Sequence, residues 1–398
     1  MQMRIHPLII SALAIAMLSC ACGRERVPSF DPTEAVMISE PTNKVAHASD
    51  FVFYGKDEVF FTYYKDDVAT VERPENLTTS LWLVRSSLKD LTAAERTCIM
   101  EVGRTVGDYT QGDMAPYDPT IFIEGTTARC LFMGYENGER VQCKRDYDIT
   151  ERRFADHIER CTISYPHGNG IKTLPYTKSG VLELYSDLGL DVSDKFINGV
   201  LNFKFKEIGG EYYSVISGPW SEDSRPLVVK TTDFVNYSLV FVAREFTYGC
   251  TETAIEPVDG GIILLARSGR PQDKSKSGTW LGKYSLDGKC IVTPWMIGDN
   301  DSRPDLLTYK GRLYAFYNVK PDVETEDGPI RRSRMRISRL TPDCSVVASW
   351  EFTSPYGIHY FCTREHNGKV YMLFSEDRRK INLRQTRSDL AFTKIKFK

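Results

Sequence analysis

Four residues in the second half of the chain have side chains that together suit one chemical step. Glu252 stands fifteen residues before Arg267, and Arg332 stands twenty-eight residues before Tyr360. A tyrosine hydroxyl has a pKa of about 10, so it becomes a nucleophile only when a neighbouring base takes its proton. Guanidinium groups bind carboxylates through paired hydrogen bonds. The set therefore points to covalent chemistry on a negatively charged substrate.

These residues lie far apart along the chain, so the fold has to bring separate segments together. An apolar strand, a tight turn and a second apolar strand recur six times, which is the pattern of β-hairpins. The hairpins span 51–64, 119–135, 203–216, 254–266, 306–317 and 361–374. Short strands also build sandwiches and barrels, but the return of one hairpin type favours an all-β, six-bladed β-propeller. We also predict a helix near 179–189, within an insertion.

Two segments resemble active-site segments of the bacterial exo-sialidases. In that family a blade opens with a glutamate, turns at Asp-Gly and ends at an arginine, as Glu252, Asp259-Gly260 and Arg267 do here. A later arginine of the family opens a strand that is similar to Arg332–Leu340.

A third segment carries the tyrosine. Tyr360 lies in a hairpin that ends in Phe374 and Glu376, and the nucleophilic tyrosine of sialidases has the same setting. Turns at 231–237, 285–288 and 341–343 resemble the Asp-box turns that join the outer strands of sialidase blades.

The resemblance implies a retaining glycoside hydrolase that removes terminal sialic acid or a related acidic sugar. Tyr360 would be the nucleophile, Glu252 its base, and Arg267 and Arg332 the groups that bind the substrate carboxylate. Because sialic acid carries a carboxylate on its anomeric carbon, a neutral tyrosine avoids the repulsion that a carboxylate nucleophile would meet. No cofactor is implied.

The first predicted blade departs from the family pattern. Sialidases open it with Arg-Ile-Pro, and His47 stands where that arginine is expected. By position, Glu75 corresponds to the acid/base aspartate of the family, with Glu72 and Asp67 as alternatives. The resemblance thus implies Glu75 as proton donor and His47 as a weaker group for the substrate carboxylate. Arg73 is an alternative to His47 that the resemblance does not itself imply.

Two alternative functions fit the same pattern. One is an inverting hydrolase that resembles the arabinanase-like families and would use Asp50, Asp118 and Glu252, although those propellers have five blades. The other is a non-catalytic sugar-binding protein, which the missing Arg-Ile-Pro favours. Only the sialidase needs the hydroxyl of Tyr360 for turnover.

We expect four nearby polar residues to be structural. Arg225 and Arg303 both lie in Asp-Ser-Arg-Pro and should support the fold or line the rim of the pocket. Asp118 should cap a turn at the start of the second blade. His359 precedes Tyr360 in a predicted strand, so its side chain should point to the opposite face.

The N-terminus has the pattern of an exported lipoprotein. Arg4 supplies a positive charge, 7–18 is an apolar run too short to span a bilayer, and small residues precede Cys20. We predict a signal peptide at 1–20, lipidation of Cys20 (or of Cys22), a tether at 21–43 and one propeller domain at 44–398. The lipid would anchor the protein to the bacterial cell envelope, facing the periplasm or the outside. An ordinary cleaved signal peptide is the alternative.

The composition narrows the partners. With 51 basic and 53 acidic residues the net charge is −2, so no nucleic-acid partner is expected. Sialylated or other acidic glycans are the predicted ligands. The cysteine spacing fits no zinc motif, so no metal site is expected. Cys130 and Cys143 are candidates for facing positions across a hairpin.

Overall fold

The computed structural model describes residues 27–40, 45–66, 79–190, 204–216, 223–269, 273–326, 328–382 and 385–398. β-Strands dominate these residues, and Lys178–Asp187 (α1) is the only α-helix among them. Its N-cap is Thr177, whose hydroxyl accepts a hydrogen bond from the amide of Gly180 at 3.2 Å. The helix predicted near 179–189 is confirmed. Within the described ranges, no helix has the length and apolar character needed to cross a membrane.

The strands of the described residues follow one another in chain order. The first thirteen are β1 (Pro28–Ser29), β2 (Val36–Met37), β3 (Val45–Tyr54), β4 (Glu58–Asp66), β5 (Ser80–Ser87), β6 (Asp90–Glu101), β7 (Thr105–Val106), β8 (Tyr109–Thr110), β9 (Tyr117–Glu124), β10 (Thr127–Glu136), β11 (Glu139–Asp148), β12 (Arg153–Phe154) and β13 (Glu159–Arg160). The next ten are β14 (Thr162–His167), β15 (Gly170–Pro175), β16 (Lys206–Ile208), β17 (Glu211–Ile216), β18 (Leu227–Thr231), β19 (Asn236–Val242), β20 (Cys250–Val258), β21 (Gly261–Ser268), β22 (Gly278–Tyr284) and β23 (Cys290–Gly298). The last seven are β24 (Asp305–Tyr309), β25 (Arg312–Asn318), β26 (Arg334–Leu340), β27 (Val346–Thr353), β28 (Gly357–His366), β29 (Lys369–Asn382) and β30 (Gln385–Phe397).

All the hairpins predicted from the sequence are present. They are the antiparallel pairs β3–β4, β9–β10, β16–β17, β20–β21, β24–β25 and β28–β29. In each case a third strand pairs with the second, as β22 does with β21. The turns at 231–237, 285–288 and 341–343 join β18 to β19, β22 to β23 and β26 to β27, which are the outer positions predicted for them.

The sheets are arranged as the blades of a β-propeller, with their first strands around a channel. β3 packs against β9 and β28, and β24 packs against β20 and β28. β20 also contacts β16 and β17, and the ring of Phe122 in β9 lies 4.7 Å from that of Tyr212 in β17, which closes the circle. The predicted propeller architecture is confirmed, and the number of blades stays a prediction.

Both ends of the described chain lie in one sheet. β1 and β2 pair antiparallel with β30, and Val27 and Lys398 exchange two backbone hydrogen bonds at 2.9 and 3.0 Å. Residues 27–40 fall in the predicted tether 21–43, but they pack on β30 because Phe30 and Ile38 are buried there. This part of the tether prediction is wrong, and the ordered domain extends upstream of residue 44.

Cys130 and Cys143, the candidates for facing positions across a hairpin, do not face each other. They lie in the paired strands β10 and β11, but the register sets Cys143 opposite Phe132 and Cys130 opposite Arg145. The two cysteines are therefore offset along the ladder, and the described cysteines are free thiols.

Two buried aspartates join the blades across the channel. Asp305 accepts hydrogen bonds from the Lys204 ammonium at 2.8 and 2.9 Å, and from the amide and hydroxyl of Thr363, both at 2.6 Å. Asp50 accepts from the Arg364 guanidinium at 3.0 Å and from the Ile121 amide at 3.1 Å. A buried carboxylate is stable only with partners of this kind, so each aspartate fixes the spacing of the strands that supply them.

Asp305→Asn should lower the free energy of unfolding by about 3–5 kcal/mol, because it leaves the buried Lys204 ammonium without its counter-charge. Urea unfolding measures the change. The exposed Asp113→Asn, as a matched control, should change it by less than about 0.5 kcal/mol. Equal effects of the two substitutions would show that the ion pair does not stabilise the ring.

Candidate active site

One mouth of the channel collects polar residues from the starts of four first strands: His47 in β3, Asp118 in β9, Glu252 in β20 and Tyr360 in β28. The strand pairing changes register beside each of them. Bulges of this kind bend a strand and re-aim a side chain, and they are frequent beside active sites. Local departures from regular pairing therefore turn these side chains toward one another.

Tyr360 has a left-handed backbone, with φ of 58°. A non-glycine residue keeps this conformation only where its surroundings enforce it. Here the amide of Tyr360 donates to the Ser302 hydroxyl at 3.4 Å, and its ring centroid lies 4.2 Å from that of His47. The phenol is thus held in place from both its backbone and its ring.

The same kink overturns the prediction for His359. Its ring lies 5.4 Å from that of Tyr360 and 5.2 Å from that of His47, rather than on the opposite face. The bulge interrupts the alternation of side chains on which the prediction relied. The Nε2 atom of His359 lies 3.2 Å from the carboxylate of Asp377.

The hydroxyl of Tyr360 lies between a cation and an anion. Arg267 donates to it from Nη1 at 3.1 Å, and the hydroxyl contributes to the lowered pKa of the neighbouring Glu252 carboxyl. Nη1 of Arg267 is also 2.5 Å from Oε2 of Glu252. A hydroxyl, a base and a group that orients the base are the parts of an activated nucleophile. The arrangement offers an acceptor for the phenol proton and a positive charge beside the phenol oxygen.

The surroundings of Glu252 keep it ionised. Burial by itself would raise the pKa of Glu252, but the charges of Arg267 and Arg303, with hydrogen bonds from Arg267 and Tyr360, lower it below its usual value. Burial opposes the charge of Arg267 as well, yet its pKa lies well above the usual value because Glu252, Tyr360 and Asp301 surround it. Glu252 can therefore accept a proton at neutral pH.

Arg267 and Arg332 share one carboxylate, that of Asp301. Nη2 of Arg267 donates to Oδ2 of Asp301 at 3.1 Å, and Nη2 of Arg332 lies 3.8 Å from the same oxygen. Nε of Arg332 donates to the backbone oxygen of Asp301 at 2.9 Å. The two predicted arginines thus face one anion position. Asp301 was not predicted, because nothing in its sequence distinguishes it from other loop aspartates.

His47 lies in this cluster, where the resemblance places it, but as a neutral ring. It is buried, and its Nδ1 atom lies 2.8 Å from the Ser375 hydroxyl. Burial, followed by the charge of His359 and those of three arginines, lowers the pKa of His47 well below 6.5. At neutral pH this ring can offer a hydrogen bond but no charge to a substrate carboxylate.

Arg303 belongs to the site itself. Its guanidinium carbon lies 4.9 Å from the ring centroid of Tyr360, and its Nη2 donates to the carbonyl oxygen of Ser49 at 2.8 Å. Arg225, at the same place in the other Asp-Ser-Arg-Pro, donates to the carbonyl of Ser224 instead. The repeated Asp-Ser-Arg-Pro was the one sequence signal that pointed to Arg303. The sequence alone does not show whether Arg225 or Arg303 lies beside Tyr360.

Asp118 also lies in the site rather than at an external turn. It has φ of 49°, and burial together with the negative charge of Glu252 raises its pKa to about 7. A carboxyl with such a pKa can give or take a proton at neutral pH. The prediction of a turn cap missed this, because the proximity to Glu252 arises only when β9 and β20 border the same channel.

Some predicted residues lie outside the described ranges: Asp67, Glu72, Arg73 and Glu75 of the first blade, and Cys20. Their roles stay predictions. Asp50, which the inverting alternative would use, is fully buried and engaged by Arg364 and two amides. In the part of the chain that the structure describes, no group of three His, Cys, Asp or Glu residues could hold a metal ion.

Comparison with known proteins places the fold among propeller enzymes. No protein-family model and no curated protein matches the chain. Among solved structures it is similar to Trypanosoma rangeli sialidase in complex with the inhibitor DANA, at 10% identity and a TM-score of 0.53, over 93% of this chain and 60% of that one. It is also similar to the K499G mutant of NanB sialidase from Streptococcus pneumoniae, at 10% identity and a TM-score of 0.53, over 98% of this chain and 72% of that one.

A looser likeness extends to an exo-1,5-α-L-arabinanase from a bovine ruminal metagenomic library, at 11% identity and a TM-score of 0.42, over 71% of this chain and 95% of that one. The chain spans about three fifths of the length of the trypanosomal sialidase. The chain shares the propeller fold of the two sialidases.

Asp118 should leave a mark on the pH dependence of stability. Its pKa rises from 3.8 to about 7 on folding, so its contribution to stability is complete below pH ~4 and is lost as the pH rises through ~7. Asp118→Asn should remove a fall in the free energy of unfolding on the order of 1–2 kcal/mol between pH 5 and 8. Urea unfolding of both proteins at the two pH values measures this, and parallel pH profiles would contradict it.

Proposed function

We propose that the protein is a sialidase-type glycoside hydrolase on a six-bladed propeller, which removes terminal sialic acid or a related acidic sugar with retention of configuration. The observation that carries the proposal is the Tyr360 hydroxyl, which accepts from Nη1 of Arg267 at 3.1 Å while the same nitrogen lies 2.5 Å from Oε2 of Glu252. The six hairpins, each with its first strand beside the channel, support the blade count.

The reaction would proceed by double displacement. The oxygen of Tyr360 bonds to the anomeric carbon as the bond to the leaving oxygen breaks, while Glu252 takes the phenol proton and a second carboxyl protonates the leaving oxygen. That carboxyl then takes a proton from water, whose oxygen replaces Tyr360 at the anomeric carbon, and Glu252 returns its proton to the phenol.

Two carboxyls are candidates for the proton donor. Glu75 is the residue that the sialidase resemblance implies. Asp118 is favoured by a pKa of about 7, which keeps part of the population protonated at neutral pH. Because Glu252 is held ionised nearby, the two carboxyls Glu252 and Asp118 would have separate roles as base and acid.

The ligands of a structurally similar sialidase suggest the substrate class. Trypanosoma rangeli sialidase is known in complex with DANA and as a covalent intermediate with 2,3-difluorosialic acid. The sequence identity to these structures is only 10% and 11%, so the ligands are properties of the trypanosomal enzyme. For this chain they favour sialic acid as the first substrate to test.

Arg303 supplies the positive charge that His47 lacks. Sialidases open the first blade with an arginine, and here the neutral His47 stands in its place. The Arg303 guanidinium reaches from the segment before β24 to Ser49, two residues beyond His47, and lies over Tyr360. With Arg267 and Arg332 it would complete a group of three cations around the substrate carboxylate.

Arg303→Met should weaken the binding of sialic acid by about 10- to 100-fold and leave that of its methyl ester nearly unchanged, because a hydrogen bond between charged groups is lost. Isothermal titration calorimetry compares the two ligands. Arg225→Met, from the other Asp-Ser-Arg-Pro, is the matched control and should bind both like the wild type. Equal losses for acid and ester would exclude a role in binding the carboxylate.

Two alternatives remain proposals of lower rank. The inverting hydrolase would need Asp50, which is buried and fully engaged in the channel. The non-catalytic sugar-binding protein would use the same pocket without turnover. Neither gives a reason for the strained placement of Tyr360 beside Glu252.

Tyr360→Phe should lower the turnover of an aryl α-sialoside by at least about 100-fold, since it removes the attacking oxygen and leaves the ring in place. Release of the fluorophore measures the rate. Tyr371→Phe, in β29 and outside the site, should keep wild-type activity. Equal activity of Tyr360→Phe and wild type would favour the inverting enzyme, and no turnover by the wild type would favour the binding protein.

We also propose that the protein is exported and anchored to the cell envelope by a lipid on Cys20. The apolar run at 7–18 and the small residues before Cys20 support this. The anchored protein would then meet glycans in the periplasm or outside the cell.

A further inference from the structure

The anion position between Arg267 and Arg332 is already filled by a residue of the chain. Oδ2 of Asp301 lies 3.1 Å from Nη2 of Arg267 and 3.8 Å from Nη2 of Arg332. These are the two arginines that the proposed function assigns to the substrate carboxylate. A carboxylate of the protein therefore stands where a carboxylate of the ligand would bind.

The charges of the site are balanced while Asp301 is in place. Arg267, Arg332 and Arg303 contribute three positive charges, and Glu252, Asp301 and Asp377 contribute three negative ones. A ligand carboxylate that entered beside Asp301 would meet a second negative charge at close range, which a pocket with little water screens poorly. Acid binding thus requires that the Asp301 side chain leave its position.

Backbone contacts hold the Asp301 segment, so its side chain can leave without the segment moving. The backbone oxygen of Asp301 accepts from Nε of Arg332 at 2.9 Å, and the next residue, Ser302, accepts from the Tyr360 amide at 3.4 Å. The Asp301 side chain is 22% exposed, against 6% for Arg267 and 10% for Arg332. The Asp301 carboxylate is therefore the most exposed of the three groups, and its displacement would not require the two backbone contacts to break.

We propose that Asp301 is a specificity-determining residue that acts as a built-in competitor for the ligand carboxylate. It neutralises Arg267 and Arg332 when the pocket is empty, and an acidic ligand displaces it. A ligand without a carboxylate cannot displace it. A ligand carboxylate must bind Arg267 and Arg332 more strongly than Asp301 does. This inference rests on the proposed function for the assignment of Arg267 and Arg332 to a ligand carboxylate and for the identity of the sugar.

Asp301→Asn and Asp301→Ala test the proposal. The probes are sialic acid, its methyl ester and pyruvate, a carboxylate without the sugar, with binding measured by calorimetry or by NMR titration. Both variants should bind sialic acid and pyruvate about tenfold or more tightly than the wild type does, because no internal ion pair has to be broken. Binding of the methyl ester should stay the same.

The chain offers a matched control in Asp223→Asn. Asp223 holds the same place in the other Asp-Ser-Arg-Pro and lies 3.6 Å from Arg225, so the substitution removes an equivalent charge outside the site. It should bind all three probes like the wild type. Thermal melting of each protein tests whether the variants are folded. If one of the two Asp301 variants fails to fold, the other still tests the proposal.

Unchanged or weaker binding of pyruvate and sialic acid by both folded Asp301 variants would overturn the proposal, and would mean that Asp301 only positions the arginines. The absence of any carboxylate binding in every variant would overturn it as well. Tighter pyruvate binding, together with no turnover of an aryl sialoside by the wild type, would uphold the role of Asp301 while refuting the sialidase function.

Discussion

The buried carboxylate of Asp305 is the contact on which the ring depends. From β24 it binds the Lys204 ammonium on one side and the amide and hydroxyl of Thr363 on the other. Three separate stretches of chain are thereby held at hydrogen-bonding distance across the channel, and Asp50 does the same for β3, β9 and β28. The distances between first strands, and so between residues at their starts, follow from these contacts.

The chemistry at the channel mouth comes from places where regular strand structure gives way. Tyr360 has a left-handed backbone, which lets its side chain reach Arg267 beside Glu252. Arg332 is also left-handed, with φ of 58°, and its side chain reaches Asp301. Such conformations cost free energy and persist where the surrounding structure holds them. The rigid ring supplies that support, while the opposed charges of Arg267 and Glu252 reduce the cost of burying either one.

The hairpins could be predicted because alternating apolar residues around a Gly, Asn or Asp turn specify them locally. The resemblance to sialidase active-site segments likewise indicated that Glu252, Arg267, Arg332 and Tyr360 form one cluster. Asp118, Asp301, Arg303 and His359 could not be placed, because bulges and the closure of the ring decide where they point. Residues 27–40 were wrongly predicted to belong to a tether for a related reason. Their short strands pair with β30, which lies at the far end of the sequence.

The pairing of β1 and β2 with β30 has a consequence for the order of assembly. The first described strands are made almost a whole chain length before the strand that completes them, so they must wait unpaired during synthesis and any export. Contacts between such distant segments form late and slowly, because the intervening chain has to be ordered first. We therefore expect the sheet that closes the ring to form last, because its strands come from both ends of the described chain.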